Sequence, residues 1–178
     1  ANGMSSLIQA FNTSYHIREN KSIIGHQILS IILTVILSLL VFLTIILIIF
    51  VKGTILYLIE YQIIGENKIL LLNSAKWVIL ITMLFVGITT LFNFGPAIKS
   101  KIKIFSPGAI LATLFIIITS IAFSYYIDNF SQYNKIYGSI GTLIIILLWI
   151  YFNAIILLTG FELDASIYNA KKNIKHNI

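Results

Sequence analysis

Four stretches of this chain are close to pure hydrocarbon. Residues Ile28 to Val51, Trp77 to Phe94, Pro107 to Tyr126 and Ile140 to Phe161 contain no Asp, Glu, Lys or Arg. Each is near the roughly 20 residues that an α-helix needs to cross about 30 Å of lipid hydrocarbon. Only 10% of the 178 residues are charged, against about a quarter in a soluble domain, so much of the surface must face lipid. None of the four runs alternates apolar with polar residues as a barrel strand does. A spanning backbone outside a closed barrel has to satisfy its own hydrogen bonds as a helix. The expected fold is therefore all-α, a polytopic transmembrane helical bundle with four spans in this chain.

Local residues punctuate the runs. Gly95-Pro96 ends the second, because proline has no N–H to continue the ladder. Ser106-Pro107-Gly108 opens the third: Ser106 is a candidate N-cap, and Pro107 fits a first turn that needs no donor. Thr34, Ser38 and Thr44 interrupt the first run. Their hydroxyls can return to the carbonyl one turn back and so cost little in lipid.

Lys and Arg set the orientation, since they collect on the cytoplasmic side. Arg18, Lys21, Lys99, Lys101, Lys103, Lys171, Lys172 and Lys175 share one side; Lys52, Lys68, Lys76 and Lys135 share the other. The eight outweigh the four, so both ends of this chain are expected in the cytoplasm. Tyr57, Tyr61, Trp77, Tyr125, Tyr126 and Tyr137 then fall near the outer boundary, which amphipathic rings favour. The net charge of +6 is explained by loops beside anionic headgroups. No dense basic patch of the kind that grips a phosphate backbone is present, so the expected partners are membrane lipids, with envelope proteins as further candidates and no nucleic acid. Nothing in the sequence fixes an oligomeric state.

Three regions follow from this reading: a cytoplasmic amphipathic segment over 1–27, the four-span domain over 28–161, and a basic cytoplasmic tail over 162–178. In the first, Met4, Leu7, Ile8, Phe11 and Tyr15 recur at helical spacing. Such a helix either lies on the cytoplasmic leaflet or packs on the bundle. The loop from Lys52 to Lys76 is a candidate for a further short interfacial helix. The chain begins at Ala1 and has no signal-peptide pattern, and its start reads as a cut through a longer protein.

Polar residues at membrane depth are the functional candidates. Asn153 lies deep in the fourth run, positioned either to bond a neighbouring helix or to face a substrate. Glu162 and Asp164 follow that run and are expected at the cytoplasmic boundary, solvated or paired with Lys171 or Lys172. The densest polar patch spans the third and fourth runs: Tyr126, Asp128, Tyr133, Asn134, Tyr137, Gly138, Ser139 and Gly141. It is either an ordered outer loop with aromatic anchors or a re-entrant segment lining a polar cavity. The chain has no Cys, so it has no disulfide and no thiolate site. No Walker-type loop is present, and no cofactor or metal is expected.

Residues 123–167, FSYYIDNFSQYNKIYGSIGTLIIILLWIYFNAIILLTGFELDASI, resemble the YihY/virulence factor BrkB family of bacterial inner-membrane proteins. The pattern reads Phe123, Ser124, Tyr126 and Phe130; then Tyr133, Asn134, Tyr137, Gly138, Ser139 and Gly141; then Leu147, Leu148, Trp149 and Tyr151; then Gly160, Glu162, Leu163, Asp164 and Ala165. SPGAILATL and NGMSSLIQAFNTSY resemble further family segments. The resemblance implies about six spans, two of them upstream of Ala1, with cytoplasmic ends. Asp164 stands where the family more often has Asn, and Phe115 where it more often has Trp.

Some family members carry the label ribonuclease BN. A metal-dependent nuclease needs His, Asp or Glu converging on one or two ions. Here His16, His26 and His176, with Glu19, Glu60, Glu66, Asp128, Glu162 and Asp164, are spread over both predicted membrane faces without H-x-x-x-H or D-x-D spacing. An enzyme is therefore not expected. The leading expectation is an inner-membrane protein that moves or accommodates a lipid or another amphiphilic envelope molecule; the alternative is a non-transporting scaffold of the envelope.

Overall fold

The computed structural model describes residues 2–14, 23–60, 68–96, 105–129 and 139–176. They form five helices and no strand: α1 (Asn2–Ser14), α2 (Ile23–Glu60), α3 (Lys68–Phe94), α4 (Pro107–Asn129) and α5 (Ser139–His176). Four of them contain segments long and apolar enough to cross a membrane, Ile24–Leu58, Leu72–Phe94, Pro107–Ile127 and Gly141–Ala170. The all-α bundle expected from the four apolar runs is the observed architecture.

The helices end where the sequence stops supporting them. Gly95 N–H still donates to the Leu91 carbonyl, at 2.8 Å, and Pro96 follows. At the start of α4 the Ala109 N–H donates to Ser106 Oγ at 3.1 Å, the N-cap bond that its sequence anticipates. Within α2, Thr34 bonds the Ser30 carbonyl, Ser38 bonds that of Thr34 and Thr44 bonds that of Leu40. These hydroxyls stay inside their own helix, so lipid meets no bare polar group.

Three helices run further than the apolar runs alone suggest. α2 passes through Lys52 and Gly53 to Glu60, and α3 starts at Lys68. No separate interfacial helix separates them among the described residues. Thr54 bonds the Phe50 carbonyl across Gly53, and a lysine at a helix end can extend its stem toward water. α5 likewise does not stop at Phe161 but continues to His176. The residues beyond Gly160 include no further Gly or Pro to break it.

The long helices pack in chain order, α2 on α3, α3 on α4 and α4 on α5, and α1 bridges α2 and α5. The core sits at the α1 end of this row. Ile8, Phe11, Leu33, Phe92, Ala109, Ala112, Phe161 and Ala165 are buried there. Three rings fill its centre. Phe11 stacks on Phe161 with centroids 4.1 Å apart, and Phe92 meets both edge-on at 5.7 and 5.4 Å. Such pairs each add about 0.5–1.5 kcal/mol beyond their area. His26, buried in α2, secures α1 from the side: its Nε2 lies 3.2 Å from the Ser5 carbonyl. A carbonyl only accepts, so this nitrogen carries the proton. Of the two arrangements open to the amphipathic segment, α1 takes the one packed on the bundle.

Away from this core the helices present apolar side chains outward. Leu39, Phe42 and Phe50 are more than half exposed, and no residue in the most apolar stretch of α5 is buried. Lipid tails are the solvent that such a surface requires. Truncating the central ring should loosen the α1 end. Phe11→Ala is expected to cost about 3–5 kcal/mol, seen as a lower Tm in nanodiscs and earlier proteolysis of α1.

Candidate functional site

α4 and α5 touch backbone to backbone near the α1 end. A Cβ on Gly108 would collide with the Gly160 carbonyl, and one on Gly160 would lie 2.8 Å from the Gly108 carbonyl. Only glycine at both positions lets the helices approach so closely. One turn beyond Gly160, the Asp164 side chain reaches across this seam. Its Oδ1 accepts the Gly108 N–H at 2.9 Å, and the residue is only 8% exposed. The carboxylate thus caps the N-terminus of α4, where the helix leaves unpaired donors and a partial positive charge. Of the surroundings expected for Asp164, the solvated one is corrected: the residue is buried and bonded to a backbone N–H. Glu162 is exposed. The acceptor oxygen that Asp164 uses exists on asparagine too.

Above the seam the helices part and leave an apolar cavity of about 780 Å³ between α3, α4 and α5. Trp77, Leu80, Ile81 and Leu84 line it from α3, Ile116, Ile117, Ser120, Ile121, Ser124 and Tyr125 from α4, and Trp149 and Asn153 from α5. A second cavity of about 520 Å³ lies between α2 and α3, reaching Ile116 and Leu157. These volumes fall in the range of small-molecule sites, about 300–1,000 Å³. Asn153 Nδ2 donates to the Trp149 carbonyl of its own helix at 2.7 Å. It bonds no neighbouring helix among the described residues, so the rest of its amide borders the cavity. The Ser120 and Ser124 hydroxyls make no hydrogen bond among the described residues, unlike Thr113 lower on the same helix, which bonds the Ala109 carbonyl at 2.7 Å. Ser120, Ser124 and Asn153 therefore bring hydrogen-bonding groups to an otherwise apolar hollow.

Half of the polar patch expected between the third and fourth runs lies outside the described residues: Tyr133, Asn134, Tyr137 and Gly138. Tyr126 is on α4, 41% exposed. Asp128 falls in the last turn of α4, and Ser139 and Gly141 in the first turn of α5. The cavity brings Asn153 together with Trp77 and Ser124, which the sequence marked as a boundary ring and as part of the family pattern, and with Ser120, which it did not single out. No group of three His, Asp or Glu among the described residues is placed to hold a metal ion. The signal for the seam was present: Gly160 and Asp164 are four apart, on one helix face. Their partner Gly108 is 56 residues from Asp164, which no local pattern reveals.

A row of lipid-exposed helices with an open apolar hollow between them defines a helical membrane protein. The model of the virulence factor BrkB family matches residues 1–177, and the chain belongs to that family. It is 29% identical over 174 residues to the ribonuclease-like protein YfkH of Bacillus subtilis, covering 97% of this chain and 62% of YfkH. It is 37% identical over 82 residues to a UPF0761 membrane protein of Pseudoalteromonas translucida, covering 46% of this chain and 27% of that protein. A UPF0761 membrane protein of Haemophilus influenzae is 38% identical over 79 residues, 44% of this chain and 29% of the relative. The chain thus spans less than two thirds of these relatives. No solved structure matches it.

The seam can be tested by exchanging its acceptor. Asp164→Asn keeps an oxygen for Gly108 N–H and should leave the Tm nearly unchanged. Asp164→Leu strands a buried donor and should cost about 1–3 kcal/mol. Gly108→Ala should cost a similar amount by overpacking. Thermal unfolding in one detergent, compared across the three variants, checks the order.

Proposed function

We propose that this protein is a non-catalytic, multi-pass inner-membrane protein that accommodates or moves a lipid or another amphiphilic envelope molecule. The observation that carries the reading is the cavity between α3, α4 and α5. Its walls are almost wholly apolar, and its polar groups include Ser120 and Ser124 on α4 and Asn153 on α5. An amphiphile needs this pairing of surfaces, whereas a solute carrier more often breaks its helices or places charges at the midplane. In this reading the α1 end faces the cytoplasm, in keeping with the excess of Lys and Arg there. The ribonuclease-like name belongs to YfkH. The six carboxylates and three histidines of this chain are spread along its length.

The test uses the full-length protein in liposomes that carry a fluorescent phospholipid, with a membrane-impermeant quencher outside. Exchange faster than in empty liposomes is expected. Asn153→Leu and Ser124→Leu, in folded protein, should return it to the empty-liposome rate. Exchange that never exceeds the empty liposomes would favour a scaffold of the envelope instead. The absence of Cys makes orientation a direct measurement: a single Cys introduced at Lys175 should react with an impermeant maleimide only from the cytoplasmic side.

A further inference from the structure

The two cavities share a wall, since Leu80, Leu84 and Ile116 line both. Along α3 they run from Trp77 to Leu91, about 21 Å of helix. That is roughly two thirds of the hydrocarbon thickness of a bilayer. Adjacent along this shared wall, the two hollows together make up a candidate groove. Its deep end meets Ile88 and Leu91, which belong to the same buried cluster as Phe11, Phe92 and Phe161, so it is closed toward α1. Its mouth lies at Trp77 and Tyr125. Lys76 lines neither hollow, but it precedes Trp77 in the chain and lies one turn before Leu80 on the same helix face. It is half-buried, and no carboxylate pairs with it among the described residues.

We infer that this groove is a binding site for one acyl chain of an anionic phospholipid, entered from the leaflet at the Trp77 end, with the lipid phosphate against the Lys76 ammonium. The inference rests on the reading above and adds the lipid class, the leaflet and the residues. Apolar walls alone select nothing, because lipid tails are as apolar as leucine and a chain gains little by leaving the bilayer. Selection has to come from the polar groups. Lys76 supplies a charge complementary to phosphate at the depth where the headgroup begins. The Ser124 hydroxyl, one turn above Ser120 on α4, offers a donor to an ester carbonyl just below. The closed end at Phe92 and Phe161 makes this a site reached from one leaflet only.

The experiment places the full-length protein in liposomes with photoreactive phosphatidylglycerol, the diazirine set near either the tail or the carboxyl end of one chain. Adducts are mapped by peptide mass spectrometry. The tail probe should label residues 87–91, and the carboxyl-end probe residues 77–81. Lys76→Ala should lower both about five-fold, the effect of one lysine near a membrane surface, and Lys76→Arg should restore them. Leu84→Trp, filling the shared wall, should remove the deep adducts and keep the shallow ones; if that variant does not fold, the surface change at Lys76 decides alone. The site is overturned if Leu39, Phe42 and Phe50 label as heavily as the groove, if Lys76→Ala changes nothing, or if phosphatidylcholine probes label equally. Graded labelling without lipid exchange would keep the site and remove the movement. Exchange with even labelling would remove the site and keep the broader reading.

Discussion

The contact of Gly108 with Gly160 is the constraint from which the rest of this architecture follows. Two α-helices whose backbones touch must diverge on either side of the crossing, because every side chain beyond the glycines holds them further apart. On the α1 side the gap is filled by rings and by the Asp164 carboxylate. On the other side nothing in the described chain fills it, and the hollow bordered by Trp149 and Asn153 results. The core and the cavity are thus two outcomes of one close approach.

The same crossing shows how a charge is kept near a membrane. A buried carboxylate is costly unless its oxygens are bonded. Asp164 meets that condition with a backbone N–H at the positive end of α4, a partner that is present whenever the helix is present. A lysine partner would bring a second desolvated charge and the entropy of a long side chain. The helix terminus brings neither. The cap also fixes the angle at which α4 leaves the seam, and with it the side chains that α4 shows to the cavity.

The sequence was most legible where a single segment decides its own structure. Four uncharged runs, Ser106-Pro107 and Gly95-Pro96 placed the helices and two of their ends without reference to anything distant. It was least legible where two segments meet. Asp164 read as a solvated or lysine-paired charge because its partner is an amide 56 residues away, and a backbone N–H leaves no mark in a sequence. Asn153 was visible as a deep amide, but whether it served a neighbour or a hollow depended on the width of the gap beside it. Phe11 was visible as one position of an amphipathic stripe. That its ring would stack on Phe161 at 4.1 Å is a property of how α5 continues past Gly160, which hydropathy does not encode.

That continuation makes α5 a lever. It is one unbroken helix of 38 residues, about 57 Å long, with its tightest contact at Gly160. The glycine divides it into arms of roughly 31 and 24 Å. A tilt of about 5° around that fulcrum moves Ser139 by roughly 3 Å one way and His176 by roughly 2 Å the other. Whatever widens or narrows the hollow beside Trp149 is therefore felt, with opposite sign, at the far tip of the same rod.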